Sequence, residues 1–229
     1  MPTAIVILTK FPDIFAQCDE SIHKWEPNVR KIVVLDGNRF VPPSDWDVIQ
    51  GPEKFNYAGN ANRGWKAAEG FDVLYFNDDI RLVMPVSKAL EKAAFSAPDI
   101  GIVSPQFEGP AGMVPLQRKG ENPTQTIAFE PNYLAFGMVF IPRRTIDLVG
   151  YMDETFDVYG GDDVDYCWQV RAAGLKLAVI PDVWVRHGFV QFEHSATARR
   201  SEHTGPGGRM ADQIRLMHAR LKEKWGHAL

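Results

Sequence analysis

Cysteine is scarce: 229 residues contain two, Cys18 and Cys167, far apart and without metal-ligand or redox spacing. No disulfide framework is indicated, and a reducing compartment suits the chain better. Long apolar runs are missing as well. The first, Ala4 to Leu8, follows no charged residue and stops before Lys10, too short for a signal peptide or a membrane span. The expectation is a cytoplasmic protein with no transmembrane segment, with peripheral membrane contact through loops left open. Positive charge is not in excess either. There are 25 Lys and Arg against 29 Asp and Glu, a formal net charge of −4, so no nucleic-acid partner is indicated. Two adjacent arginine pairs, Arg143-Arg144 and Arg199-Arg200, read as solvated surface. No internal repeat or low-complexity tract appears.

What the chain does have is an ordinary globular composition, 45% hydrophobic and 24% charged, and enough length for one well-buried core, so 1–229 is read as a single domain. Ala4–Leu8 is a continuous β-branched run, as in a strand buried on both faces. Ile14, Phe15, Cys18, Ile22 and Trp25 follow at helical spacing, and Lys31–Leu35 makes a second strand. This is a βαβ unit with parallel strands. The alternation continues with strands at 46–50, 72–76, 100–104 and 136–141, and helices at 85–96, 143–149 and 162–173. Residues 59–70 read as a loop entering a helix, and two more strands fall at 175–180 and 183–186. Residues 106–131 are rich in Gly, Pro and polar side chains and read as an irregular excursion or small hairpin. Met210, Ile214, Met217, Leu221 and Trp225 mark one face of a C-terminal docking helix. The fold class is α/β with a mixed, mostly parallel sheet between helical layers. In such sheets ligands bind beyond the carboxyl ends of the strands.

Acidic residues gather at those ends. Asn77-Asp78-Asp79 closes an apolar strand, where unpaired buried charge is costly. Carboxylates placed there supply hard oxygen ligands for Mg²⁺ or Mn²⁺, which in turn bind phosphate oxygens; a turn pair capping the next segment is the plainer reading. Asp36 ends the second strand and suits a base or ribose hydroxyl, although Asp36-Gly37 is also a common turn signal. Gly59-Asn60-Ala61-Asn62-Arg63-Gly64 is neither a GxGxxG nor a Walker loop. Its amides and Arg63 suit a diphosphate as well as they suit a helix cap. Gly160-Gly161-Asp162-Asp163-Val164-Asp165 opens a helix with more acid than a cap requires. One of Asp162 and Asp163 is a candidate general base, and Asp165 is expected to pair with Arg171 or another base. His187, at a strand end, is a candidate metal ligand or a polar terminus, and His194 and His203 carry no assigned role.

Taken in order, these features resemble the family-2-type, GT-A-fold glycosyltransferases over roughly residues 3 to 188. The residues concerned are Asp36, Asn62-Arg63-Gly64 and Asn77-Asp78-Asp79. Next come Gly137, Arg143 or Arg144, and Gly150-Tyr151-Met152-Asp153-Glu154. Asp162-Asp163-Val164-Asp165, Arg171, Gly174 and His187 complete the series. The chain departs in reading Asn-Asp-Asp at the metal motif, Asp-Asp for the usual Glu-Asp, and Thr9-Lys10 where a Tyr-Asn-type pair is common. The first departure leaves Asp78, Asp79 or both as the cation's contact, and the last leaves donor-base contacts near Thr9 unsettled.

The resemblance implies transfer of a sugar from a UDP-sugar or similar donor to an unidentified saccharide, lipid or protein acceptor. Asp36 would contact the base, Arg63 the diphosphate, Asp78 and Asp79 the Mn²⁺ or Mg²⁺, with His187 completing the metal sphere, and Asp163 would act as base. Thr9, Asn62 and Asn77 join the donor-site candidates. Residues 1–105 would form the nucleotide-binding half, 106–188 the acceptor and catalytic half, and 189–229 a loop and helix. Within the last, Ser195–Gly208, with Gly205-Pro206-Gly207-Gly208, would close over the donor. A non-catalytic nucleotide-sugar-binding protein and a metal-dependent nucleotidyltransferase are the rival readings.

Overall fold

Along the first strand, β1 (Thr3–Thr9), side chains alternate between two cores: Ile5 and Ile7 enter one, Ala4, Val6 and Leu8 the other. That alternation is what a strand covered by helices on both faces requires. The computed structural model describes residues 1–37, 40–51, 55–109, 114–120, 128–129, 132–156, 160–188 and 210–229. In chain order β1 is followed by α1 (Pro12–Trp25), β2 (Arg30–Leu35), β3 (Trp46–Gln50), α2 (Tyr57–Ala67), β4 (Asp72–Asn77), β5 (Ile80–Arg81), α3 (Ser87–Ala94) and β6 (Ile100–Glu108). A 3-10 turn at Pro115–Gln117 precedes β7 (Ala128–Phe129), β8 (Met138–Ile141), α4 (Arg143–Val149), α5 (Asp162–Ala172), β9 (Lys176–His187) and α6 (Met210–Trp225).

The nine strands form one sheet in the order β3-β2-β1-β4-β8-β6-β9-β5, with β7 beside β9. β3, β2, β1 and β4 run parallel, as do β6 and β9, while β8 runs antiparallel between β4 and β6. α1 and α3 cover one face through Phe15, Cys18, Ile22 and Leu90; α2, α4 and α5 cover the other through Ala61, Trp65, Ile146, Tyr166 and Val170. Gly64 lets α2 approach closely, since a Cβ there would lie 2.3 Å from Val6 Cγ1.

Several sequence expectations are corrected. Residues 59–64 do not precede a helix; they lie inside α2, which starts at Tyr57 with the Asn56 side chain accepting from Gly59 N at 2.6 Å. Gly59 and Gly64 carry a loop signal in sequence that masks the Asn56 cap one turn earlier. β6 continues past Ser104 to Glu108, and the strands expected at 175–180 and 183–186 are one strand. Pro105 and Pro181 sit where the β6–β9 register slips, the bulge setting in which a sheet tolerates proline. Within 106–131, the end of β6, the 3-10 turn and β7 are ordered elements rather than one irregular excursion.

The Arg143-Arg144 pair is not solvated surface. Arg143, 4% exposed, donates to the carbonyls of Trp65, Ala68 and Phe71 at the end of α2, and Arg144 donates to Ala94, Ala97 and Ile100 beyond α3. Arg143 thus serves the carbonyls where α2 ends, and Arg144 those at and after the end of α3. In α6, Met217, Leu221 and Trp225 pack inward, but Ile214 is exposed. Arg199-Arg200 and the Ser195–Gly208 segment lie outside the described residues. Among the described residues no helix is long and apolar enough to cross a membrane.

Candidate active site

The carboxyl ends of β1, β2 and β4 lie side by side, because Leu8 pairs with Asn77 and Thr9 with Leu35. Thr9 Oγ1 donates to Asp78 Oδ2 at 2.8 Å, and Thr9 O accepts from Asp36 N at 2.8 Å. Asn60 Nδ2, reaching up from α2, donates to Asp36 Oδ1 at 3.2 Å. A hollow of about 130 Å³ opens over these groups, lined by Thr9, Lys10, Phe11, Asp36, Phe55, Tyr57, Asn60, Asn77 and Asp78 together with Leu8. It offers acceptors at its floor and aromatic rings at its wall, the usual furnishing of a small-molecule site. A larger hollow of about 960 Å³, along α1 and β5, shares no lining residue with it.

Asp79, the next residue in the turn between β4 and β5, meets a different partner. Its Oδ1 lies 3.6 Å from His187 Nε2, and both side chains are largely enclosed, 13% and 15% exposed. β5 holds this geometry by pairing Ile80 with His187, and Gly188 N donates to Asp79 O at 3.2 Å. The ring of Phe107 lies 5.3 Å from that of His187. Gly137 supplies the remaining room: a Cβ there would stand 3.2 Å from His187 Cε1 and 3.1 Å from Phe107 Cζ.

The start of α5 reaches the same end of the sheet through the residues that lead into β8. Asp163 Oδ1 accepts from Val164 N at 2.8 Å and Oδ2 from Phe136 N at 3.4 Å. Phe136 O in turn accepts from Tyr57 Oη at 3.4 Å, and Tyr57 Oη also donates to Asn77 Oδ1 at 3.3 Å. Burial raises both carboxyls of the adjacent pair, Asp162 to about 8 with the Asp163 charge adding to the rise, and Asp163 to about 6, held lower by its backbone N–H donors. Neighbouring carboxyls whose environments separate their proton affinities divide into an acid and a base. Burial also pushes the Tyr57 and Tyr75 hydroxyls up, so both stay neutral beneath the pair.

No protein-family model matches the sequence, and no curated protein matches it. Solved structures do. The mannosyltransferase PcManGT from Pyrobaculum calidifontis, in complex with GDP-Man and Mn²⁺, superposes with a TM-score of 0.65 and 16% identity, over 99% of this chain and 65% of that one. GalNAc-T7 with UDP, GalNAc and Mn²⁺ gives 0.64 and 14%, over 81% and 43%. S. aureus TarS gives 0.61 and 14%, over 100% and 44%. The fold is of the GT-A type. The chain spans 43% to 65% of the length of these structures, and at such identities the likeness concerns architecture alone.

On the GT-A sheet the predicted site residues separate into groups. Thr9, Asp36, Asn77 and Asp78 line one hollow, Asp79 meets His187 beside it, and Asp162 with Asp163 stands across the Phe136–Gly137 turn. Asn62 and Arg63 do not join them. The Asn62 amide is engaged with Met152 N and O and with Glu154, all at 2.9 Å, and Arg63 lies on the exposed face of α2, outside the hollow's lining. Asp165 pairs with Lys224 and Trp225 instead of Arg171, which meets Asn132. Lys10, Phe11, Phe55 and Tyr57 line the hollow as well, and Asn60 of the Gly59–Gly64 segment enters it through its side chain. Lys10 and Phe11 follow directly on the β1 end, a position that the carboxyl-end rule already marks.

Proposed function

We propose that this chain is a glycosyltransferase that uses a divalent cation, Mn²⁺ or Mg²⁺, to move a sugar from a UDP-sugar or similar donor to an acceptor hydroxyl. The observation that carries this reading is Asp79 facing His187 at 3.6 Å, immediately beside the hollow that Asp36 and Asp78 floor. PcManGT and GalNAc-T7 hold Mn²⁺ with a nucleotide or nucleotide-sugar, and the donor set here suits the same kind of ion.

A carboxylate and an imidazole are acceptable ligands for Mn²⁺, and a site of this kind leaves positions for phosphate oxygens and water. Among the described residues no group of three His, Cys, Asp or Glu is close enough to form a complete protein cage, which suits an ion shared with the diphosphate. Asp79 and His187 would hold it. When bound, the cation offsets charge on the departing nucleoside diphosphate.

The chain's own groups supply the rest. Asp36, fixed by Asn60, accepts from the base, and Asp78, fixed by Thr9, accepts from ribose hydroxyls. Lys10 adds positive charge at the rim, where Arg63 was expected. Asp163, ionised near neutral pH, takes the proton of the acceptor hydroxyl as the C–O bond forms, while Asp162 keeps its own proton. Residues 1–105 then bind the donor, and 106–188 bring the base and the imidazole.

Calorimetric titration with UDP, with and without Mn²⁺, tests the reading. Wild-type protein should bind UDP tightly only with metal, and Asp79→Ala should weaken that binding by at least about a hundredfold, since even the partners that orient a metal ligand are worth about 10- to 100-fold. Metal-independent binding, or binding that Asp79→Ala leaves intact, would overturn the metal assignment.

A further inference from the structure

Asp165 is fully buried and turns toward the C-terminal helix. Its Oδ1 accepts from Trp225 Nε1 at 2.7 Å, and its Oδ2 accepts from Gln169 Nε2 at 2.6 Å and Lys224 Nζ at 3.0 Å. Lys224 also reaches Asp153 Oδ2 at 2.6 Å, and Arg220 donates to the Thr155 carbonyl. The Trp225 ring meets Trp168 edge-on at 5.9 Å, and Phe156, Val164, Trp168, Met217 and Leu221 close a small core of their own. Directly above this core lie Gly160 and Gly161, both left-handed, with φ of 76° and 90°. A Cβ on Gly161 would stand 2.6 Å from Met217 Cγ. α6 therefore clamps the turn from which Asp162 and Asp163 project.

An apolar residue at position 165 would fill this space more cheaply than a charge, because a buried ion pair often stabilises less than its hydrophobic replacement. The charge calls for a use other than docking, and the neighbouring carboxyls provide one. We propose that α6 is a positioning element for the proton-accepting carboxylates: Lys224 and Trp225, acting through Asp165, fix the Gly160-Gly161 turn and set the field at Asp162 and Asp163. The inference rests on the glycosyltransferase reading above, and it concerns residues that this reading leaves without a role.

The groups facing the pair are Asp165 and Cys167 on α5, Tyr57 from α2 and Tyr75 from β4. Burial raises Asp162 first, the Asp163 charge second, and the Asp165 charge adds to the rise. Lys224 partly neutralises Asp165, so the two substitutions act in opposite directions. Lys224→Met keeps the aliphatic stem and unmasks the Asp165 charge, which pushes Asp162 further up. Asp165→Asn is nearly isosteric and removes that charge, which lets Asp162 fall.

The test is a pH profile of donor turnover together with a carboxyl ¹³C titration of the Asp162 and Asp163 signals in the protein without donor. In Lys224→Met, kcat should fall by about tenfold, as for a displaced catalytic group, with KM for the donor within about twofold, and the alkaline limb, which reports Asp162, should move up by about half a pH unit. In Asp165→Asn the limb should move down, and Lys224→Arg should restore the wild-type profile. Equal movement in both variants, or none, overturns the proposal even where melting temperatures fall, since loss of docking alone has no charge sign. Absence of turnover in the wild type would count against the glycosyltransferase reading, while the ¹³C shifts would still decide the coupling.

Discussion

Asp162→Asn should flatten the protein's dependence of stability on pH. The Asp162 carboxyl is 7% exposed, and its pKa rises from 3.8 to about 8, through burial first and the Asp163 charge second. A carboxyl raised in the folded state keeps its proton while the unfolded chain releases it. Its stabilising contribution is therefore complete below pH 4 and is lost as pH climbs toward 8. Each pK unit corresponds to about 1.4 kcal/mol. Half the displacement, allowing for relaxation around the ionised carboxylate, gives a loss of about 3 kcal/mol across that window. His23, held above its usual value by Asp19 and Asp45 against the opposing effect of burial, loses stabilisation in the same direction as pH rises. Asp153 acts elsewhere: burial opposes its ionisation, but Lys224 and Thr155 hold it at about 2, so its contribution disappears only as pH falls from 4 toward 2. Both effects are common to the two proteins and cancel in a comparison. The assay is urea unfolding of wild type and Asp162→Asn at steps from pH 4.5 to 8.5 in metal-free buffer. The difference in unfolding free energy should shift by about 3 kcal/mol in favour of the variant as pH rises. Parallel curves would refute the argument, because they would mean that Asp162 ionises in the folded state as readily as in the unfolded chain.

Two other substitutions probe the packing that holds the site. Gly137→Ala places a Cβ 3.2 Å from His187 Cε1, so Mn²⁺-dependent UDP binding should weaken by about tenfold while metal-free binding stays unchanged; calorimetry reads both, and equal losses would count against His187 as a ligand. Arg143→Met keeps the side-chain stem but leaves the Trp65, Ala68 and Phe71 carbonyls without their guanidinium donor. Thermal or urea unfolding should register a loss of about 3–5 kcal/mol, and a loss below 1 kcal/mol would mean that water replaces the guanidinium.

The sheet was legible because its strands are apolar on both faces. Runs such as Ala4–Leu8 and Lys31–Leu35 carry too many β-branched residues in too short a span for a helix, and all of them became strands. Less visible were elements whose reason lies across the chain. β5 is two residues long and exists because His187 and Arg186 pair with it. The N-terminus of α3 is capped by Glu26, which accepts from Val86 N and Ser87 N at 2.7 and 2.8 Å from 60 and 61 residues away in sequence. The candidate site divided the same way. Asp36, Asp78 and Asp79 follow from local pattern, but Asp78 and Asp79 share the turn between β4 and β5, and which of them met the histidine depended on the pairing of β5 with β9. Asn62 and Arg63 were misplaced because Gly64 resembles a loop glycine, when its missing Cβ serves the contact of α2 with Val6 and Val34.

The reversed strand β8 explains how Asp163, the proposed base on α5, comes to stand near the proposed metal ligands after β4 and on β9. In a wholly parallel sheet the segment beside β4 would begin at the far end, and only connecting loops would reach the carboxyl side. Because β8 runs antiparallel, its start arrives at the carboxyl end of β4, where Gly137 O accepts from Asn77 N at 3.1 Å. One peptide earlier, Phe136 offers its N–H to Asp163 and its carbonyl to Tyr57, which bonds Asn77 in turn. Gly137 then leaves His187 the space that any side chain would fill. Two consecutive residues thus couple the proposed base, the hollow of Asp36 and Asp78 and the proposed metal ligands, with backbone groups and no flexible side chain in the link to Asp163. Backbone in a strand start is among the least mobile material available for such a purpose. A shift of β8 by one residue against β4 would therefore disturb binding and proton transfer together, whereas a change confined to α6 would disturb proton transfer alone.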